Sequence, residues 1–270
     1  MSSDKTVQVN YYEGFFNKVD KSTKNNIEKT LHNVQQEFGS LFFDGLNIHV
    51  ATTFSKLDEF NITSKVLKDN SLSYITAPGA YDIIDRSNIF LQEFTINLQS
   101  YFIPRKAGAY TNSTLLHEIG HYFDNFFGCD KKTKEKYDEI IQKNIDNLDN
   151  PKLTKDEEDF MKNHYYDNDG YNDNEDFKTA LYEDLQHIDI KDFSLQETYY
   201  IAEFYNNCYK ENGKPTLEDI NLAESSRKEI FAQLFAYAMN ANDSDKESFL
   251  KKFPTTFNVV KTLIEKHSVD

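Results

Sequence analysis

Apolar residues recur along this chain at helical spacing far more often than they alternate. In KSTKNNIEKTLHNVQQEFGSLF, from Lys21, the residues Ile27, Leu31, Val34 and Phe38 fall three or four apart, which lines one face of a helix with core positions. Ser22 and Thr23 stand at its start as capping candidates. Two stretches carry the other period. LNIHVATT, Leu46 to Thr53, alternates apolar and polar residues with β-branched members, and SNIFLQEF, Ser87 to Phe94, is the second strand candidate. Between them APGAYD, Ala77 to Asp82, has loop chemistry. Helical spacing returns in LLHEIGHYFDNFF, in SLQETYYIAEFYNNCYKENG and in SSRKEIFAQLFAYAMN. The pattern predicts an α+β fold, mostly helical, with a small mixed sheet.

Five prolines and nine glycines in 270 residues leave no Pro/Gly-rich linker, so the expectation is a single domain over 1–270. Its parts are an N-terminal helical segment (1–40), the sheet with the HExxH helix (41–127), a helical insertion (128–222) and two closing helices (223–270). The formal charge of −15 and a pI near 4.9 give an anionic surface that repels phosphate backbones, so nucleic acid is excluded as a partner. No apolar run reaches the length of a membrane span, and MSSDKTVQVNYYEG lacks the basic start and apolar stretch of a signal peptide. Cys129 and Cys208 make no C-x-x-C unit and no disulfide framework, and are read as free thiols.

LLHEIGHYFDNFF, Leu115 to Phe127, carries the chemistry. Residues four apart on a helix lie one above the other, so His117 and His121 can offer imidazole nitrogens to one ion. Glu118 is one step round the helix, where a general base for an activated water would stand. Leu115, Leu116, Ile119, Tyr122, Phe123 and Phe126 wrap the remaining sides, so the polar groups sit in apolar surroundings and a divalent cation would satisfy them. A histidine pair satisfied by ordinary hydrogen bonds is the plainer alternative. A catalytic zinc needs a third protein ligand. His32, His49, His164, His187 and His267 fall in no second metal motif, which points to a carboxylate. Glu229, in the first turns of SSRKEIFAQLFAYAMN behind Ser225 or Ser226 as N-cap, is the best candidate by position. A glutamate at a helix start also has an ordinary role, stabilising the helix dipole.

LLHEIGHYFD and the later KEIFAQLFAYAMNANDSDKESFLKKFPTTFNVVKTLI together resemble the catalytic domain of the anthrax lethal factor family of zinc metallopeptidases, which includes the clostridial Pro-Pro endopeptidases. The resemblance covers about a quarter of the chain. It implies a zincin-like metallopeptidase domain with one zinc held by His117, His121 and Glu229, and with Glu118 as the base. It further implies a secreted endopeptidase acting on proline-containing, basic or apolar segments of a protein or peptide, with room for a receptor or translocation partner. Three departures stand out. The interval between His121 and Glu229 is longer than the family's, so an acidic helical insertion lies between the zinc helices. The family's tyrosine seven residues before the ligand glutamate, a donor to the tetrahedral intermediate, is replaced by Leu222; Tyr205 and Tyr209 in the insertion are the substitutes. Gln233 stands where the family has a second glutamate on that helix, an exchange expected to loosen the surroundings of the metal.

Asp124, three residues past His121, is a candidate to orient a ligand histidine, or else an ordinary ion-pair residue. DNDGYNDNEDF, Asp167 to Phe177, fails as an EF-hand, since Tyr171, Asn172 and Lys178 occupy positions that need Asp or Asn, Gly and Glu. It is read as a solvated acidic loop. The substrate is expected to lie extended along an edge strand, SNIFLQEF or the preceding SLSYITAPGAYD. Two rival classes remain. One is a cytoplasmic antirepressor-type peptidase, in which Glu135 or Glu139 would be the third ligand; the other is an inactive zincin fold kept for partner binding.

Overall fold

The helix predicted from Ile27, Leu31, Val34 and Phe38 forms as α1, Lys21–Phe38, with those four side chains buried. It begins one residue before the expected caps. Asp20 occupies the N-cap without a side-chain bond, Ser22 and Thr23 lie within the first turn, and Thr23 is buried. The computed structural model describes residues 7–13, 18–43, 46–53, 79–81, 88–92, 94–96, 104–106, 112–128, 136, 139, 154–157, 170–194, 197–207, 213–241 and 245–269. Both predicted strands are present, as β2 (Asn47–Ala51) and β4 (Asn88–Gln92). Two others were not foreseen. β1 (Gln8–Tyr12) lies in the stretch read only for a leader, and β3 (Gly79–Tyr81) lies inside the presumed loop APGAYD.

These four strands form one mixed sheet in the order β1-β2-β4-β3. β1, β2 and β4 are parallel, with His49 opposite Asn10 and Phe90, and β3 runs antiparallel to β4 with Gly79 opposite Leu91. β2 and β4 are the inner strands, so their Ile48, Val50, Ile89 and Leu91 are fully buried, as strands covered on both faces should be. A separate antiparallel pair joins β5 (Phe94–Ile96) to β6 (Pro104–Lys106). The helices that follow are α2 (Asn112–Gly128), α3 (Glu175–His187), α4 (Glu197–Tyr200), α5 (Ala202–Asn207), α6 (Leu217–Leu222), α7 (Glu224–Ala238), α8 (Lys246–Lys252) and α9 (Pro254–His267). The architecture is α+β, mostly helical, with a small mixed sheet. Among the described residues no helix is long and apolar enough to cross a membrane.

The chain divides into two compact units, and α2, α7, α8 and α9 each contribute residues to both. The first contains Met1–Tyr122, Ala232–Lys251 and Val260–Asp270. Its core stacks aromatic rings from α1, α2 and α7: Phe38 meets Phe42 at 5.0 Å and Phe235 at 6.1 Å, and Phe42 meets Tyr122 at 5.2 Å. The Tyr122 hydroxyl donates to the carbonyl of Phe42 at 2.8 Å, which keeps its polar end satisfied while the ring stays buried. His49 on β2 is held between Tyr12 and Asn88, each 2.9 Å from one ring nitrogen, and stacks on Phe90; it is a satisfied core histidine.

The second unit contains Phe123–Phe231 and Lys252–Val259. Phe177, Leu181 and Leu185 bury one face of α3, and Asp184 on that helix accepts from the backbone N–H groups of Thr255 and Thr256 and from the Thr256 hydroxyl. Asp184 thereby satisfies donors at the start of α9 that the helix itself leaves unpaired. Thr216 and Asp219 form a reciprocal capping box on α6.

Candidate metal centre

Helix α2 brings Leu115, Leu116, Ile119, Tyr122 and Phe123 to buried positions and leaves His117 and His121 half-buried on the remaining face. Their rings meet edge to face with centroids 4.9 Å apart, the outcome of the four-residue spacing. The ligand atoms of His117, His121 and Glu229 all lie within 4.8 Å of one another, so this group could hold a metal ion. Tetrahedral zinc with bonds of ~2.0–2.1 Å would set its ligand atoms roughly 3.3 Å apart, and two imidazoles with one carboxylate is a donor set that suits it. Among the described residues it is the one such group found. Of the two rival ligands, Glu139 is exposed and is not part of the group, and Glu135 lies outside the described residues.

Two features around the histidines were not read from the sequence. Gly120 faces α7, where a methyl group would lie 2.8 Å from the Cα and carbonyl oxygen of Ala232. Glycine is therefore required for the two helices to approach this closely. That approach lets Gln233, one residue on and 2% exposed, reach across: its Oε1 accepts from Nδ1 of His117 at 3.0 Å. Donation from Nδ1 leaves Nε2 of His117 as the metal-facing nitrogen, the arrangement in which a partner orients a ligand imidazole. Gln233, at the position where the resemblance led us to expect looser surroundings, is thus in direct hydrogen-bond contact with His117.

Glu118 is 6% exposed and sits below strand β3, and Tyr81 of that strand stacks on His121 with an interplanar angle of 12°. Asp124 does not serve as the histidine's orienter. Its two carboxylate oxygens accept from the backbone N–H and the side-chain amide of Asn172, and it is 1% exposed. Burial pushes the Asp124 carboxyl up to about 6 against the opposing bonds from Asn172. Asn172 is itself buried, and Asp173 pairs with Arg227 at 3.1 Å, so residues 170–173 are a packed turn rather than a solvated acidic loop. Helix α7 starts at Glu224, ahead of the expected caps; Ser226 instead exchanges bonds with Glu203, whose carboxylate accepts from the Ser226 N–H.

Leu222, at the family's tyrosine position, closes α6 and is 72% exposed, so it supplies no donor. Tyr205 belongs to α5, but its side chain lies outside the described residues, as do Tyr209, Cys129 and Cys208 altogether. No known protein family matches this chain, and no curated protein or solved structure is similar to it.

Proposed function

We propose that this protein is a zinc-dependent endopeptidase of the zincin type, resembling the lethal factor family, that hydrolyses peptide bonds in a protein or peptide substrate outside the cell that makes it. The convergence of His117, His121 and Glu229 within 4.8 Å, beside a buried glutamate, carries the reading. Zinc held there would acidify a water and draw electron density from the scissile carbonyl. Glu118 takes the proton from the attacking water and passes it to the leaving amine, a task for which its place one step round the helix from His117 suits it. Gln233 holds the His117 ring in the productive tautomer. Among the described residues β3 lies at one end of the sheet and β4 is paired on both sides, so we take β3, rather than SNIFLQEF, as the edge along which an extended substrate would lie. The net charge of −15 favours basic segments in that substrate. Tyr205 and Tyr209 remain the proposed donors to the oxyanion.

The experiment is zinc content together with cleavage of a diverse peptide library by the wild type and Glu118→Gln. One zinc per chain in both, with cleavage falling roughly 10²–10⁴-fold in the variant, is the expected result. Full cleavage by Glu118→Gln, or a wild type without zinc, overturns the reading. The exposed Leu222 favours a second one, a zinc-binding fold kept for partner binding; zinc without cleavage of any peptide selects it.

A further inference from the structure

Strand β3 contributes more to this site than an edge. Gly79 and Tyr81 are two residues apart and share one face of the strand; both are buried, while Ala80 between them is half-buried. On that face Tyr81 stacks against His121, with centroids 6.3 Å apart, and Gly79 lies against Glu118. A methyl group on Gly79 would sit 2.8 Å from Oε1 of Glu118, 3.0 Å from its Cγ and 2.9 Å from Cγ2 of Thr114, all closer than packed atoms tolerate. The backbone of Gly79 is not in the left-handed region, so conformational freedom does not explain the residue. What requires glycine here is the volume that the Glu118 side chain, its carboxylate nearest, and the Thr114 methyl occupy.

We propose that Gly79 is the seat of the catalytic base: the missing side chain on β3 fixes the carboxylate of Glu118 in one place above the polar face of α2. Gly79 is on this account a positioning residue, and the proposal rests on the endopeptidase reading for its catalytic consequence. In Gly79→Ala the closest displaced group is the end of a flexible side chain, with the Thr114 methyl giving way by a few tenths of an ångström beside it, so the chain folds and keeps its ligands while the base is moved from its station. A base shifted by about 1 Å loses much of its effect, because proton transfer requires hydrogen-bond reach of the attacking water.

The test uses the full chain in four forms: wild type, Gly79→Ala, Glu118→Ala and the double variant. Gly79→Ala is expected to keep one zinc per chain, to lose roughly 100-fold in kcat for a library peptide, and to change KM by less than about threefold. Its thermal midpoint should fall by roughly 3–8 °C in the wild-type background, the cost of overpacking a tight contact. Most of that fall should disappear in the Glu118→Ala background, where the carboxylate is gone and only the Thr114 contact remains. Unchanged kcat, or an equal fall in midpoint in both backgrounds, overturns the proposal, the latter showing that the glycine serves the backbone and Thr114. If the wild type cleaves no peptide, the endopeptidase reading fails, and the midpoint comparison still upholds or overturns Gly79 as the seat of Glu118.

Discussion

Helix α2 carries two polar clusters three residues apart in sequence, one buried and one half-buried, and they are built in opposite ways. Asp124 belongs to a closed cluster. Its oxygens accept from Asn172, and Arg227, 1% exposed, donates to the carbonyls of Asn172, Ile220 and Asn221 and to Asp173. Burial pulls the Arg227 guanidinium below its ordinary range while Asp173 opposes the shift. The His117, His121 and Glu229 cluster is convergent instead, with three ligand atoms of the same acceptor character gathered within 4.8 Å. Donors matched to acceptors, with Oδ1 of Asn172 the one buried atom left over among the described members, make a structural knot. Acceptors gathered with acceptors make a place for a cation.

The sharpest way to break this contrast is to remove one member of each cluster. Glu229→Ala should abolish stoichiometric zinc binding, because a structural or catalytic site built from three ligands loses its charge-balancing one. Gln233→Ala removes only the orienting bond to His117 and should weaken zinc binding by roughly 10–100-fold without abolishing it. Competition with a chromophoric chelator measures both. Equal zinc affinity in wild type and Glu229→Ala would take Glu229 out of the site.

In the closed cluster the corresponding change is Arg227→Met, which takes the guanidinium donor from the carbonyls of Asn172, Ile220 and Asn221, two of them buried, and leaves Asp173 with Lys178 alone. The expected loss is about 3–5 kcal/mol of folding stability, read from urea unfolding of the metal-free protein. Zinc should not recover it, since Arg227 acts on the fold and not on the ion. A loss under about 1 kcal/mol would mean that the turn at 170–173 holds without the guanidinium.

Much of this was legible in the sequence, and the reasons differ by region. The HExxH spacing places His117, Glu118 and His121 by helix geometry alone, a purely local rule, and the apolar stripe of α1 follows from the same rule. Glu229 was singled out as an acidic residue in the first turns of an apolar helix and by the resemblance to the lethal factor family; its approach to the histidines is tertiary. β3 was missed because three residues between Pro78 and Asp82 carry no period, and it exists through pairing with β4. Asp124 was left open between orienting a histidine and an ordinary ion pair, because its nearness to His121 in sequence suggested a partner that tertiary burial did not supply; its carboxylate went to Asn172. Gly120 and Gly79 left a signal that could have been used, since a glycine inside an apolar helix or strand often marks close approach by another element.

The smallest expected effect is also the most specific test of the closed cluster. The Asp124 carboxyl, with an ordinary value of 3.8 raised to about 6 by burial, holds its proton in the folded chain at pH values where the unfolded chain has released it. A raised folded value means that its contribution to stability is fully present below 3.8 and is lost as pH rises through about 6. Asp124→Asn removes that dependence while keeping the shape. With the Asn172 amide turned over, its Oδ1, a buried oxygen without a protein partner among the described residues, accepts from the new amide in place of the bond that Nδ2 donates in the wild type, so the exchange should cost no more than about 1 kcal/mol near pH 5. Relative to the wild type, the variant should therefore gain stability steadily between about pH 4 and pH 6 and level off above. A difference that stays flat across that range would show that Asp124 is ionised throughout, and would make the cluster an ion pair with Arg227 rather than a hydrogen-bonded knot.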